Sequence, residues 1–232
     1  MTAYPIVDVI IPAYNEGQSI GKVIKAIPKG LVRDIIVCNN NSTDDTALRA
    51  REAEAIVVDQ PIRGYGNACL AGMKHISSRP ETDHPEIVVF MDGDYSDYPE
   101  EMPLLLVPIL DGKDLVIGSR VIRQPEKGAM TRPQQFGNWL ATHLIKILFG
   151  FQFTDLGPFR AIRWQKLLAL NMRDRTYGWT VEMQVKAVKL KFMCAEVPVS
   201  YRKRIGTSKV SGTIKGTILA GYKILWTIFK SI

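Results

Sequence analysis

Five short runs dense in valine and isoleucine punctuate the first half of the chain, at residues 6–12, 34–39, 55–59, 86–92 and 114–119. Helical patterns lie between them, at 16–27, 43–54, 66–77 and 99–110. Runs this apolar offer no polar face to water, so they read as strands buried on both sides. Strand–helix repetition then predicts an α/β fold, a mostly parallel sheet between two layers of helices. Two helices carry start signals. Ser42 or Thr43 with Asp44 and Asp45 can cap the second, and Pro99 with Glu100 and Glu101 opens the fourth. The second half is less regular. It reads as an apolar helix and short strand over 138–153, a strand at 157–163, a helix at 179–190, a strand at 195–201 and a final helix at 213–230. A chain of 232 residues suits one large domain. Residues 1–200 are expected to form it, with 201–232 adding a basic loop and an amphipathic helix.

In such a sheet, ligands bind beyond the carboxyl ends of the strands. The segments PAYNEG, NNNSTDD, QPIRGYGN, DGDYSD and GSRVIRQ each follow a strand, so all should open on one edge. The richest is MDGDYSDYPE at 91–100. Asp92 and Asp94 stand two residues apart, and an extended chain would aim both carboxylates the same way. Two hard oxygens suit Mg²⁺ or Mn²⁺, with a bound diphosphate filling the remaining positions. A calcium loop would need glycine at its sixth position, where this chain has Asp97. A solvated helix cap explains Asp97 and Glu100 but not Asp92 and Asp94. VVFMDGDYS also resembles the aspartate-nucleophile motif of the haloacid dehalogenase superfamily. That motif normally opens its fold, and here three βα units precede it. RGYGNA at 63–68 opens a helix but is neither a P-loop nor a complete GxGxxG.

Charge is unevenly placed. The net charge is +7, yet residues 1–199 hold 23 basic and 23 acidic side chains, so the whole excess lies in the tail. Such a tail can meet phosphates of nucleic acid, anionic lipid or a small substrate. Charge balance elsewhere argues against nucleic acid. Cys38, Cys69 and Cys194 form no CxxC pair, and the three histidines lack zinc-ligand spacing. Reduced thiols and a start without a signal-peptide pattern give a cytosolic expectation.

Taken together, PAYNE, NNNSTDDT, RGYGNA, DGDYSDYPE, IGSR, TDLGPFRAIR and EVPVSYRKRIGTSKVSGT resemble the family 2 glycosyltransferases of the GT-A fold, a Rossmann-like αβα sandwich. The resemblance spans nearly the whole chain. It is closest to the dolichyl- and polyprenyl-phosphate mannose and glucose synthases. It implies a nucleotide-sugar donor, inversion at the anomeric carbon and a polyprenyl-phosphate acceptor. By motif, Pro12, Ala13, Tyr14, Glu16, Asn39, Asn40, Arg63, Gly64, Asp92 and Gly93 should bind the donor nucleotide, with Asp92 and Asp94 holding the metal. The family usually begins its second loop with aspartate, where this chain has Asn39, Asn40 and Asn41. Asparagine can still bond an imide edge, having both a donor and an acceptor. Asp94, Asp155 and Arg204 are the implied catalytic residues. Arg120, Arg202, Arg204 and Lys209 are the implied phosphate and acceptor contacts, Arg offering a planar fork and Lys a point charge. Glu182 either touches sugar hydroxyls or supports its loop, and Trp179 is either a sugar platform or a core residue.

A phosphate monoester is already largely ionised at neutral pH, so Asp155 would orient rather than deprotonate such an acceptor. With a soluble hydroxyl acceptor it would be the base. A non-catalytic nucleotide-sugar-binding subunit is the reading from another class, and the intact DxD argues against it. The last helix has no apolar run near the roughly 20 residues a membrane span requires. Lys215, Lys223 and Lys230 share one side of it, and Tyr222 and Trp226 suit a headgroup region. The expectation is a peripheral protein on an anionic, cytoplasmic membrane face, working alone, as a homo-oligomer or with a membrane subunit. The alternative is that this apolar face packs onto the domain.

Overall fold

The computed structural model describes residues 5–207 and 214–232. Seven strands form one sheet: β1 (Val7–Ala13), β2 (Asp34–Asn39), β3 (Ile56–Asp59), β4 (Ile87–Phe90), β5 (Leu115–Ser119), β6 (Arg160–Arg163) and β7 (Cys194–Pro198). Their order is β3-β2-β1-β4-β6-β5-β7. Every pairing is parallel except those of β6, which runs antiparallel between β4 and β5. All residues of β1, β4 and β5 are buried, as their unbroken Val/Ile content demands. Alternate side chains feed two cores. Ile10, Ile36 and Phe90 pack with Trp164 and Trp179 on one face. Val9 and Ile11 pack with Ile24, Met102 and Leu105 on the other. Each such side chain contributes roughly 1.5–3 kcal/mol on burial.

The helices are α1 (Ile20–Ala26), α2 (Thr46–Glu52), α3 (Tyr65–Ser77), α4 (Met102–Leu110), α5 (Arg132–Phe149), α6 (Trp164–Ala169), α7 (Trp179–Lys189) and α8 (Ile214–Lys230). Three differ instructively from expectation. The helix expected from residue 16 starts at Ile20, because Asn15 has φ 53° and the Glu16 N–H is taken by Thr46 Oγ1. The helix expected from residue 138 starts six residues earlier. Thr131 caps it, Pro133 lies in its first turn and Gln134 completes a capping box, a signal the apolar pattern hid. It stops at Gly150 in the left-handed conformation, and residues 150–159 are irregular where a short strand was expected. Helix α6 has no counterpart among the expected elements.

Strand direction decides what meets at the functional edge. The parallel strands deliver the loops after β1, β2, β3, β4, β5 and β7 to their carboxyl ends. Because β6 is reversed, it is the segment before it, residues 154–159, that reaches the same edge.

At the opposite edge, buried Asp8 accepts from Arg33 Nη2 at 2.6 Å and Arg79 Nη1 at 3.0 Å. Arg79 also pairs with Asp34 at 2.9 Å. Removing the carboxylate takes the buried partner from two guanidinium groups and leaves both to share Asp34. Asp8→Ala is expected to cost about 3 kcal/mol, the low end for a buried pair, because Arg33 keeps 31% of its side chain exposed. Urea unfolding checks this, and a loss below about 1 kcal/mol would show that the cluster is surface-like.

Helix α8 packs on α5 and α7. Thr227 and Ile228 are buried against the domain, while Ile218, Leu219, Tyr222, Trp226 and Phe229 are exposed on other sides. The packing alternative therefore describes one side of this helix. One apolar face docks on the domain and another is turned outward. Phe136, Trp139 and Ile147 make a similar outward stripe on α5. Among the described residues, no helix is long and apolar enough to cross a membrane.

Candidate active site

The first two strand-end loops are stitched together by side chains. Asn15 accepts from the Thr43 N–H at 2.8 Å, and Asp44 accepts from the Gly17 N–H at 3.0 Å. Asn40 braces the next loop, accepting from the Gly64 N–H at 2.7 Å and donating to the Ile62 carbonyl at 2.7 Å. Gly64 has φ 140°, and a Cβ there would meet the Arg175 carbonyl oxygen at 2.2 Å. Only glycine lets the start of α3 dock so closely on that segment.

These loops enclose a cavity of about 310 Å³. Pro12, Ala13, Tyr14, Glu16, Asn40, Arg63, Gly64, Asp92, Gly93, Asp94 and Arg204 all line it. The Arg63 guanidinium stacks over the Tyr14 ring at 4.4 Å, a flat pair on the cavity wall. Asn39 is not in the lining. It donates to Asp59 at 2.8 Å and accepts from the Ser42 N–H, so it holds β2 to β3 and shapes the turn. Of the adjacent asparagines, Asn40 faces the cavity.

Beyond β4 the chain turns instead of staying extended, yet Asp92 and Asp94 still face one cavity. Asp94 accepts from the N–H and hydroxyl of Ser96. Its other oxygen meets Arg204 Nη1 at 3.1 Å, and Arg204 Nη2 meets Glu16 at 2.8 Å. The guanidinium thus sits as a cation between two cavity carboxylates. Buried Asp97 stands behind, accepting from the Asp92 N–H, while its Oδ1 has no hydrogen-bond partner among the described residues. Burial first, then Asp94, push the Asp92 carboxyl from its ordinary 3.8 up to about 7. Burial and the charges of Asp92 and Asp94 raise Asp97 as well. A crowded acid cluster with an orphaned oxygen, already drawing in a guanidinium, fits a divalent cation. Among the described residues no group of three or more His, Cys, Asp or Glu is placed to hold a metal. Asp92 and Asp94 are the two aspartates that line this cavity, and two carboxylates alone would leave most positions of a hard cation to other ligands.

The sign of the pH dependence follows. In the metal-free protein the raised Asp92 pKa contributes stability that is full below about 4 and is lost as pH rises through about 7. A metal needs the carboxylate, so metal affinity climbs over that same interval. Mn²⁺ calorimetry is expected to show several-fold tighter binding at pH 8 than at pH 6, with proton release. Equal affinities would mean that Asp92 is already ionised at pH 6.

A second cavity, of about 280 Å³, lies between α5 and α8. Met130, Pro133, Leu156, Pro158, Ala220 and Ile224 make its walls largely apolar, and Arg120 and Asp92 stand in its lining. It shares Tyr65, Asp92 and Tyr177 with the first cavity, so the two meet at the carboxylate. Neither tyrosine stands out in the sequence. Tyr65 sits in a motif that two tight glycines explain equally well, and only the fold brings Tyr177 alongside it.

Arg120 is fixed by Asp155, which is fully buried. Asp155 Oδ2 accepts from Arg120 N at 2.8 Å and Nε at 2.7 Å, and Oδ1 accepts from Nη2 at 2.6 Å. Burial lowers the Arg120 pKa, but the charge and hydrogen bonds of Asp155 outweigh it and raise the pKa well above the ordinary value. The backbone around Asp155 is gripped from three elements. Glu196 on β7 accepts from the Thr154 and Asp155 N–H groups, Asn138 on α5 from the Leu156 N–H, and Gln184 on α7 donates to the Asp155 carbonyl. At Gly157 a Cβ would meet the Gly118 carbonyl oxygen at 2.5 Å, so a side chain would push this segment off β5.

One expected contact is corrected, and for two residues the structure favours one of the two alternatives left open. Arg202 does not reach the cavities. It is stacked on Tyr95 at 3.5 Å and Tyr98 at 4.0 Å and donates to the carbonyls of Tyr95 and Asp97. It therefore clamps the loop carrying the acids, including Tyr95 at φ 65°. Trp179 is 1% exposed and packs edge-on against Phe90, so it is core and not a platform. Glu182 accepts from the N–H groups of Arg173 and Asp174 and pairs with Lys186 at 2.6 Å, so it supports the loop. Lys209 lies outside the described residues.

Comparison with known proteins places these features in context. Glycosyl transferase family 2 matches residues 8–170. A dolichyl-phosphate hexose transferase of Haloferax volcanii is 33% identical over 216 residues, covering 90% of each chain. An undecaprenyl-phosphate mannosyltransferase of Micrococcus luteus is 31% identical over 222 residues, covering 89% of this chain and 88% of its own. Among solved structures, glucosyl-3-phosphoglycerate synthase from Mycobacterium tuberculosis, in complex with Mn²⁺, UDP-glucose and phosphoglyceric acid, superposes with a TM-score of 0.74. At 24% identity over 99% of this chain and 80% of that one, this likeness shows a shared fold.

Proposed function

This chain belongs to glycosyl transferase family 2, and we propose that it moves a hexose from a nucleotide-sugar to a polyprenyl phosphate at the cytoplasmic surface of a membrane. It is a hexosyltransferase of the polyprenyl-phosphate sugar transferase subgroup. The observation that carries the finer reading is the meeting of the two cavities at Asp92, Tyr65 and Tyr177. The first cavity suits a nucleotide, with the Tyr14–Arg63 stack against the base and Glu16 and Asn40 near polar groups. Asp92 and Asp94 would hold Mg²⁺ or Mn²⁺, whose charge offsets that of the departing diphosphate. The structurally similar synthase has been crystallised in complex with Mn²⁺, UDP and glucosyl-3-phosphoglycerate. The second cavity suits a phosphate on a hydrocarbon chain, with Arg120 at the phosphate and the tail leaving between α5 and α8.

An acceptor phosphate oxygen there attacks the anomeric carbon. The new carbon–oxygen bond forms as the bond to the donor diphosphate breaks on the opposite face, inverting the anomer. The attacking oxygen is already ionised at neutral pH, so no base is required. Asp155 suits this chemistry because Arg120 engages both its oxygens. The hydroxyl-acceptor reading would need that carboxylate free. The outward aromatic residues on α5 and α8 support attachment to a membrane surface.

A donor panel assayed in detergent with a short polyprenyl phosphate tests the reading, with products identified by mass. The expected product is a hexosyl-phosphoprenol from one preferred donor. Transfer to free hydroxyls, with the prenyl phosphate untouched, would overturn it.

A further inference from the structure

A third cleft, of about 560 Å³, lies between α7, α8 and the segment after α6. It shares no lining residue with the two cavities at the sheet edge. Five basic side chains line it, Arg173, Lys186, Lys189, Lys223 and Lys230, against two carboxylates, Asp174 and Glu182. Both carboxylates are already committed. Besides pairing with Lys186, Glu182 accepts from two backbone N–H groups. Asp174 accepts from the Thr176 and Gly178 N–H groups while it pairs with Lys223 at 3.0 Å. Lys189 donates to the Ser231 carbonyl, a neutral partner. The head groups of Arg173 and Lys230 have no partner among the described residues. An uncompensated positive surface around a concavity draws in an anion.

Trp226 indicates which anion. It is 51% exposed and lines the cleft, and it also stands beside Tyr222 and Phe229 on the outward apolar side of α8. The Tyr222 and Trp226 rings stack, with centroids 6.4 Å apart. The cleft therefore opens where an aromatic helix face meets a row of lysines. At a bilayer surface, aromatics settle at the headgroup level and lysines reach up to the phosphates.

We propose that this cleft binds the phosphate of an anionic phospholipid headgroup while α8 lies in the bilayer interface. The inference deepens the membrane-surface reading and rests on it. The recognised chemistry is a phosphate ester, and the test separates lipid from soluble sources.

The intact chain is floated with vesicles of phosphatidylglycerol in phosphatidylcholine and with pure phosphatidylcholine vesicles. It is also titrated with glycerol 3-phosphate in solution. R173A/K230A removes the two cations without a partner among the described residues, and K25A/K29A removes equal charge from the exposed end of α1 and the turn after it. The wild type is expected to prefer the anionic vesicles. R173A/K230A should weaken that binding on the order of 30-fold, at roughly 1 kcal/mol per basic residue at the surface. K25A/K29A should change it less than about threefold. Both variants should keep the wild-type melting temperature and full turnover of short acceptor in detergent. Equal loss in both variants, or none in R173A/K230A, overturns the cleft and leaves the membrane reading standing. No wild-type binding to any vesicle overturns both, while detergent turnover reports separately on the transfer reaction. Saturable glycerol 3-phosphate binding lost in R173A/K230A, without vesicle binding, would reassign the cleft to a soluble phosphate and overturn the lipid assignment.

Discussion

Asp94→Ala is expected to lower donor turnover by about a thousandfold or more while the chain stays folded. Asp94 is 5% exposed, and it places one oxygen on Ser96 and the other toward the cavity, where Arg204 now meets it. With Asp92 and Asp94 as the proposed metal pair, losing it would halve the protein's contribution to a divalent cation and leave Asp92 alone with a diphosphate. The diphosphate's developing charge then goes largely uncompensated in a water-poor cavity, where such interactions are strongest. The structural cost is smaller. Arg204 keeps Glu16 and stays 27% exposed, so it can rehydrate. Turnover with Mn²⁺ or Mg²⁺ and circular dichroism on the same sample check both halves. Unchanged turnover would end the metal assignment.

Asp155→Asn should be the second most damaging change, through Arg120. The amide cannot supply the negative charge that holds a guanidinium only 12% exposed. Breaking such a pair costs about 3 kcal/mol, and a displaced Arg120 should lower kcat/KM for the acceptor by roughly a hundredfold. Donor hydrolysis in the absence of acceptor should fall much less. The pH profile separates positioning from proton removal. A positioning role leaves the acidic limb of kcat/KM in place, whereas loss of a general base removes it. Disappearance of that limb in Asp155→Asn would restore the hydroxyl-acceptor reading.

Most of the first cavity was legible because it is built from loops that directly follow strands. Once 6–12, 34–39 and 86–92 are read as parallel strands, PAYNE, Asn40 and the DxD must converge. Asn39 was misassigned for a local reason. Both Asn39 and Asn40 were expected at the donor, but consecutive residues at a strand end point to opposite sides, so only one of them can face the cavity. Arg202, Trp179 and Glu182 were misplaced or left open for another reason. Arginine, tryptophan and glutamate serve equally well to contact a ligand, fill a core or satisfy buried backbone groups, and sequence spacing does not separate these uses.

The chain's own pattern determined the αβα layering, the single functional edge and the acid pair at the end of β4. These follow from burial on two faces of short β-rich runs and from the geometry of βα units. Tertiary structure alone decided the surroundings of Arg120 in the second cavity. Reversal of β6 between β4 and β5 carries Asp155 to Arg120, and Glu196, Asn138 and Gln184 from three distant elements fix the segment between them. Strand direction and long-range pairing of buried polar groups depend on which N–H and C=O groups are left unsatisfied once the layers close. That balance exists only in the packed molecule.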